Sequence, residues 1–500
     1  MASRQSQPLT MLILLICTAG FFLASLFEKN MMFAAVGMLA LSIVAIPMLW
    51  QSRIDWFSPW SFVILSVALG GAARGICISL MWPDPTSIEL MFLLGEDVEF
   101  FLFPWGIMLL GLVAMTVGYF GARGKSDQIR RWVGNLQWNE GRLKFVVAFV
   151  FVVSLGATIQ YVRNTGGFSS GVISGKRTVI SDVDISSDTE FNQFGYLRQM
   201  AKMANFAYLT VLGYALFHKR RIPVSHTVVL VFLFFGACAL PFYTSSRLPI
   251  VWTFCGTGAL LYYSGKEFAL QRLMVVGLMG IIVYFGMSVI RGKKEAGAAI
   301  AESTGVERLA EGFVIHRNFF GITKTAHVIN AVPELLDFQY GYTFGVWLVA
   351  PVPRAIWSTK PLIHSGPIIG NVVYGNTVSG VPPGLIGELY WNFGSAGVVL
   401  GCFAVGRLLR IMGDSFRPRH GKDLKLLLLY VTGPMRLGFE MLGNSAGFGC
   451  MVVAMDLATI GLLLFLATDY APNKSTRGQR VAGRKVTSAS STDAGRPLAA

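Results

Sequence analysis

Cationic side chains recur around one long stretch of the chain, next to prolines and aromatic residues. VAPVPRAIWSTKPL (349–362) is the densest part of this pattern. A planar guanidinium has five donors in a fixed fork, which suits phosphate or pyrophosphate better than a point charge does. Each arginine alone is also typical of a side chain that reaches lipid headgroups. Together, the cations of 291–360 and Arg247 predict a site for an anionic partner, such as a phosphate or a pyrophosphate.

Aromatic residues crowd the same region. Flat faces with polar tips pack well against sugar rings, and they are equally typical of the aromatic belt at a membrane interface. The residues that we predict to contact sugar are Tyr342, Trp357, Tyr390 and Trp391.

Two acidic residues in apolar segments attract attention. Glu388 lies in GVPPGLIGELYWNFGSAGVVLG (380–401), just after a Pro-Pro-Gly turn. An ionisable residue at membrane depth is costly, so Glu388 is a candidate catalytic group, a general base that acts together with Arg354. The alternative is an ion pair with a loop arginine. Glu440 lies four residues after Arg436, and this spacing favours a structural pair on one helix face.

Other chemical signatures are weak. The six histidines are scattered, without the spacing of metal ligands, and neither a P-loop nor a dinucleotide fingerprint occurs. The sequence therefore predicts no metal and no cofactor.

The composition of the chain indicates the class of protein that carries these residues. The chain has 500 residues, of which 53% are hydrophobic and 14% charged, and its mean hydropathy is +0.56. These values are typical of a polytopic membrane protein, and an all-α fold follows because an open sheet edge cannot be satisfied in lipid. The net charge of +15 reflects basic loops near anionic headgroups, so we expect no nucleic-acid partner.

Hydropathy predicts about twelve transmembrane helices, the first of which is an anchor rather than a signal peptide. Most lysines and arginines fall on one side if both termini are cytoplasmic, as the positive-inside rule requires. The predicted spans are 9–27, 31–50, 57–82, 100–120, 145–163, 198–217, 225–243, 248–264, 273–290, 384–406, 424–442 and 447–469.

Four regions follow from these spans. Residues 1–290 contain spans one to nine, and 291–383 form a large periplasmic or interfacial loop. Residues 384–470 contain spans ten to twelve, and 471–500 form a basic cytoplasmic tail that we expect to be disordered.

The large loop shows two patterns of its own. Within it, 298–337 has apolar positions at helical spacing, which predicts one or two helices along the interface. Residues 340–353 are too short to span the membrane and carry prolines, so we expect them to dip toward it and turn back.

These motifs carry a resemblance to a known family. SSR after a span, then RG, HR, YGYTF, PR-x-x-W-x-x-KP and GLIGELYWNFG-x-x-GV-x-x-G occur in this order over about 240–410. This order resembles the oligosaccharide repeat-unit polymerases, also called Wzy-type O-antigen polymerases, whose topology is similar.

The resemblance implies a membrane glycosyltransferase with GT-C-like architecture in the bacterial inner membrane. Its substrates would be undecaprenyl-pyrophosphate-linked oligosaccharides, polymerised into O-antigen or exopolysaccharide at the periplasmic face. The resemblance implies that the pyrophosphates are bound by Arg247, Arg291, Arg317 and Arg354, with Lys360 beside them. Membrane lipids, a chain-length regulator and a flippase would be its partners.

Two other functions stay open. An O-antigen ligase uses the same donor but passes the glycan to lipid A core. A lipid-linked oligosaccharide flippase, or another transporter, should instead line a cavity with charges from many spans.

Overall fold

The structure is a computed structural model. It describes residues 6–51, 54–81, 96–124, 127–164, 195–218, 224–244, 246–265, 269–295, 319–350, 352, 356–357, 359–361, 365–375 and 380–470. The predicted tail, 471–500, lies outside the described residues, as do 298–318.

Helices make up most of the described chain. The first part contains α1 (Ser6–Ser25), α2 (Met31–Leu49), α3 (Pro59–Val67), a π-helix (Ala68–Ala73), α4 (Arg74–Met81), α5 (Val98–Gly121), α6 (Asp127–Gly134), strand β1 (Leu136–Trp138), α7 (Glu140–Asn164), α8 (Gly195–Ala201), α9 (Met203–His218), α10 (Val224–Tyr243), α11 (Arg247–Tyr263) and α12 (Ala269–Glu295).

The second part begins inside the predicted large loop. It contains α13 (Lys324–Ala331), α14 (Tyr342–Gly345), a 3-10 helix (Val346–Val349), α15 (Gly366–Val372), α16 (Gly384–Phe416), α17 (Leu424–Thr432), α18 (Pro434–Gly443), α19 (Ala446–Ala467) and strand β2 (Thr468–Tyr470).

Helices occupy all twelve predicted spans. Among the described residues, eight helices are long and apolar enough to cross a membrane, which agrees with an all-α, polytopic membrane protein. The four predicted spans outside that set are 198–217, 248–264, 273–290 and 424–442. Two of them are interrupted, at Lys202 and at Gly433, and α11 has only 17 residues. The count of twelve therefore stays a prediction.

The outer faces of several helices are strongly apolar. Phe145, Phe149, Phe232 and Phe235 are between 59% and 71% exposed. Apolar surface of this extent is unstable in water and stable in lipid, so these faces support a membrane-embedded protein.

The interrupted helices are held by specific contacts. Ser154 on α7 donates to Ala201 O at 2.5 Å and accepts from Ala204 N at 3.1 Å, so one hydroxyl bridges the break at Lys202. At the end of α3, Ser66 Oγ accepts from Phe320 N at 3.0 Å, and the π-helix that follows lies against the same residue. A Cβ on Gly70 would lie 1.9 Å from Phe320 O, so only glycine fits this approach.

Contacts between loops join segments that were predicted on the same side. At the predicted cytoplasmic end, β1 pairs antiparallel with β2, and Arg142 lies 2.6 Å from Asp469. At the predicted periplasmic end, Lys29 lies 2.5 Å from Glu99. We call these the inner end and the outer end, and their orientation in a cell stays a prediction.

One expectation about the large loop is wrong for its described part. Residues 324–331 do form a helix, but α13 is buried at every position except Asn330 and packs between α5 and α16. A helix along the interface would expose one face, whereas Lys324, Thr325 and His327 all point into protein. Residues 342–349 form two short turns of helix, and no spanning helix forms among them.

Candidate functional site

Glu388 on α16 is fully buried and binds the start of another helix. Its Oε1 accepts from Ser445 Oγ at 3.0 Å, and its Oε2 accepts from the backbone N–H groups of Ala446 and, at 3.4 Å, Gly447. These N–H groups open α19, where the helix dipole favours a negative charge. The carboxylate therefore caps a helix from a neighbouring segment.

Lys324 makes the opposite contact at the end of α18. Its side chain is buried, and Nζ donates to Gly443 O at 2.7 Å. The last carbonyl groups of a helix favour a cation. We call residues 443–446 the tip. Lys324 binds the end of α18 at one side of the tip, and Glu388 binds the start of α19 at the other side.

Asn392 lies one turn after Glu388 and connects two motifs. Its Nδ2 donates to Thr343 Oγ1 at 2.7 Å and to Glu388 O at 2.7 Å. Its Oδ1 accepts from Gly341 N at 2.8 Å. The YGYTF segment and the GELYWNFG segment, far apart in the chain, therefore form one hydrogen-bonded unit.

A second polar group, the ion cluster, lies between the helices. Arg436 lies 3.4 Å from Glu440 and 2.9 Å from Asp456 on α19, so the predicted Arg436–Glu440 pair is confirmed. Glu440 also accepts from Trp252 Nε1 at 2.8 Å, which adds α11. The ion pair between Arg436 and Asp456 was not predicted. The presence of Arg436, Glu440 and Asp456 in two neighbouring apolar segments could have indicated it.

The predicted pyrophosphate residues are only partly described. Arg317 and Arg354 lie outside the described residues, and for Arg291 only the helical backbone is described. Arg247 is half-buried and opens α11. Lys360 is buried, and its Nζ donates to Ala350 O at 2.8 Å and Val352 O at 2.9 Å. The pyrophosphate site as a whole stays a prediction.

The predicted sugar contacts differ in exposure. Tyr342 and Trp357 are 54% and 39% exposed, and Tyr390 is half-buried. Trp391 is 2% exposed, and its indole N–H donates to Asp337 O at 3.0 Å. A sugar therefore finds no open ring face on Trp391 in this conformation.

The same question of access applies to Glu388. Both carboxylate oxygens already accept hydrogen bonds, and the residue has no exposed surface. An acceptor hydroxyl could reach it only after the tip moves away. Within the described residues, the geometry supports a capping role directly and a general-base role only with opening.

A small cavity of about 70 Å³ lies at the inner end, away from these motifs, lined by Asp55, Arg410, Asp414 and Arg417 among others. None of the residues that line this cavity belongs to the tip or to the predicted site.

Comparison of the chain with protein families, curated proteins and solved structures found no match. Any assignment of function therefore depends on the residues and their contacts.

Proposed function

We propose that this protein polymerises undecaprenyl-pyrophosphate-linked oligosaccharide repeat units at the periplasmic face of the bacterial inner membrane. The observation that carries the proposal is the contact of Asn392 with Thr343 and Gly341. The two motif segments that resemble repeat-unit polymerases pack against one another, as parts of one site would.

The proposal includes the finer topology. Twelve spans with both termini cytoplasmic would put the tip, α13 and the YGYTF segment on the periplasmic side. The agreement of the loop contacts with this alternation supports it. A GT-C-like arrangement is part of the same proposal.

The reaction would transfer a glycan between two lipid carriers. The acceptor sugar hydroxyl forms a bond to the anomeric carbon of the donor glycan, while the bond from that carbon to the pyrophosphate oxygen breaks. Undecaprenyl pyrophosphate leaves, and the acceptor proton passes to a base. Arg247, Arg291, Arg317 and Arg354, with Lys360, would stabilise the negative charge that develops on the leaving group.

Glu388 is the proposed base, and its capping contacts set a condition for that role. The tip would have to release the carboxylate when the acceptor binds, with Ser445 and the start of α19 moving together. Conformational opening of this kind accompanies catalysis in many enzymes.

A transporter is the second candidate, favoured by the ion cluster. Arg436, Glu440 and Asp456 meet inside the bundle. Buried ionisable groups in a membrane commonly mark a path for an ion or a substrate. In this cluster, however, each acid is already paired with the arginine, which is equally expected of a structural bridge.

Reconstitution separates these functions. Purified protein in proteoliposomes should convert lipid-linked repeat units into a ladder of longer lipid-linked glycans, without a nucleotide sugar and in the presence of EDTA. An Arg354→Ala variant that reaches the membrane should make no ladder, with Arg142→Ala, at the inner end, as the control.

Cells that lack the protein provide the second test. Single repeat units should then accumulate at the periplasmic face. Long unattached chains would identify a ligase, and repeat units held at the cytoplasmic face would identify a flippase. Either result would contradict the proposed polymerase function. A full ladder from the Arg354→Ala variant would contradict the proposed role of the arginines in binding pyrophosphate.

A further inference from the structure

We infer that Tyr340 is a sugar-stacking platform for the repeat unit, an inference that rests on the function proposed above. Tyr340 is 81% exposed at the outer end, and Tyr342, two residues on, is 54% exposed. The ring of Phe338 lies 6.2 Å from that of Tyr340. An open aromatic face of this kind suits the C–H face of a pyranose.

The backbone at Tyr340 is strained. Its φ is +46°, and it is the one non-glycine residue with positive φ in the described part of the chain. This left-handed conformation is unfavourable for an ordinary L-residue, because its Cβ lies too close to the following carbonyl oxygen. Such strain persists only where surrounding contacts enforce it, and it clusters at ligand sites.

Asn392 supplies the enforcing contacts. Tyr340 N donates to Asn392 O at 3.2 Å, and the next N–H, of Gly341, donates to Asn392 Oδ1 at 2.8 Å. Asn392 is itself fully buried and bonded to Glu388 O. The exposed ring is therefore fixed to the segment that carries the proposed base, while its face stays open.

The surroundings favour a glycan over a lipid surface. Glu334 and Asp337 are exposed nearby in the chain, and their charges would repel anionic headgroups. The same carboxylates can accept hydrogen bonds from sugar hydroxyls. Interfacial tyrosines in membrane proteins also need no special backbone conformation, whereas strained residues cluster at ligand sites.

The test uses the full-length protein in nanodiscs of neutral lipid. The probe is the lipid-free oligosaccharide released by mild acid from the lipid-linked repeat units of the same cells. Binding is measured by equilibrium dialysis for wild type and for Tyr340→Ala, Tyr340→Phe and Tyr340→Gly. Tyr470→Ala, which removes a 61% exposed tyrosine at the inner end, is the matched control.

Tyr340→Ala and Tyr340→Gly should each weaken glycan binding about tenfold, the effect of one lost aromatic contact. Tyr340→Phe should stay within about twofold of wild type, because the ring remains. Tyr340→Gly should melt at a higher temperature than Tyr340→Ala, since glycine adopts positive φ without cost. In the polymerisation assay, Tyr340→Ala should raise KM and leave kcat nearly unchanged.

Several results would overturn the platform. If Tyr340→Ala keeps the glycan affinity and the KM of wild type, Tyr340 is not a platform, and the polymerase function is unaffected. A loss of binding to phosphatidylglycerol vesicles, with glycan binding unchanged, would assign the ring to the membrane instead. If wild type neither binds the oligosaccharide nor polymerises, the proposed function falls together with the platform.

Discussion

Two arginines in this protein make the same kinds of contact but lie in different parts of the molecule. Arg436 pairs with Glu440 at 3.4 Å, and Arg410 pairs with Asp414 at 2.9 Å, each four residues along its own helix. Each guanidinium also lies over an aromatic ring, 5.5 Å and 5.4 Å from the ring centroid. Sequence spacing alone would treat them as equal.

Burial and a second carboxylate separate the two pairs. The side chains of Arg410 and Asp414 are 27% and 21% exposed at the inner end. Those of Arg436 and Glu440 are 12% and 5% exposed, and Arg436 also binds Asp456 on α19. A half-buried pair that water can reach contributes less because water screens it, whereas a buried charge that loses its partner is costly.

The largest effect should come from Arg436→Leu. It removes the guanidinium that pairs with both Glu440 and Asp456, which should lower the free energy of unfolding by about 3–5 kcal/mol. Arg410→Leu, the matched control, should lower it by about 1 kcal/mol or less. Unfolding in mixed micelles, followed by circular dichroism, measures both.

A double variant sharpens this comparison. Arg436→Leu with Asp456→Leu removes one charge of each sign, so it should recover part of the loss seen in Arg436→Leu. Equal losses in Arg436→Leu and Arg410→Leu would show that burial does not distinguish the pairs.

Much of the fold was predictable from local patterns. The positions of helices along the chain follow from apolar runs of about 20 residues, and the Arg436–Glu440 pair follows from the helical repeat. The interruption at Lys202 could not be predicted, because it depends on a contact from elsewhere, the Ser154 hydroxyl that bridges the break. The interruption at Gly433 has a local signal, the Gly433–Pro434 dipeptide, which the predicted span 424–442 ignored.

The candidate site was less predictable. Glu388 and Lys324 stand out as charged residues in apolar surroundings, yet only the three-dimensional arrangement shows that they serve opposite ends of two helices. The burial of α13 was missed because its apolar spacing is equally typical of an interfacial helix. The strain at Tyr340 has no sequence signal, since a tyrosine gives no hint of positive φ.

Variants of Glu388 test how much a buried carboxylate contributes to stability when it accepts from backbone N–H groups instead of pairing with an arginine. Glu388→Ala leaves the N–H groups of Ala446 and Gly447 buried without an acceptor, at a cost of about 1–3 kcal/mol. Glu388→Gln keeps an acceptor oxygen but removes the charge, so the loss should be smaller. Thermal unfolding measures both, and the polymerisation assay is run on the same samples.

The activity of Glu388→Gln separates the two proposed roles. A folded and inactive variant would support the general base. A folded variant with full activity would leave Glu388 as a helix cap alone, and the base would have to be another group.

Lys324→Met tests the cation at the other side of the tip. Methionine has a similar length but cannot donate to Gly443 O, so the end of α18 loses a hydrogen bond and a favourable charge. We expect a loss of about 1–2 kcal/mol in the free energy of unfolding. Lys324→Arg, which keeps the charge, should lose less, and equal losses would show that size rather than charge matters here.

The smallest effect should come from Arg142→Ala at the inner end. Arg142 lies 2.6 Å from Asp469, a shorter distance than in the Arg436–Glu440 pair, but the two side chains are 59% and 51% exposed. If burial decides the contribution, this variant should change the free energy of unfolding by about 0–1 kcal/mol, and 1 M salt should remove the difference. A loss as large as that of Arg436→Leu would mean that the β1–β2 pairing depends on this ion pair, and that distance predicts the contribution better than burial does.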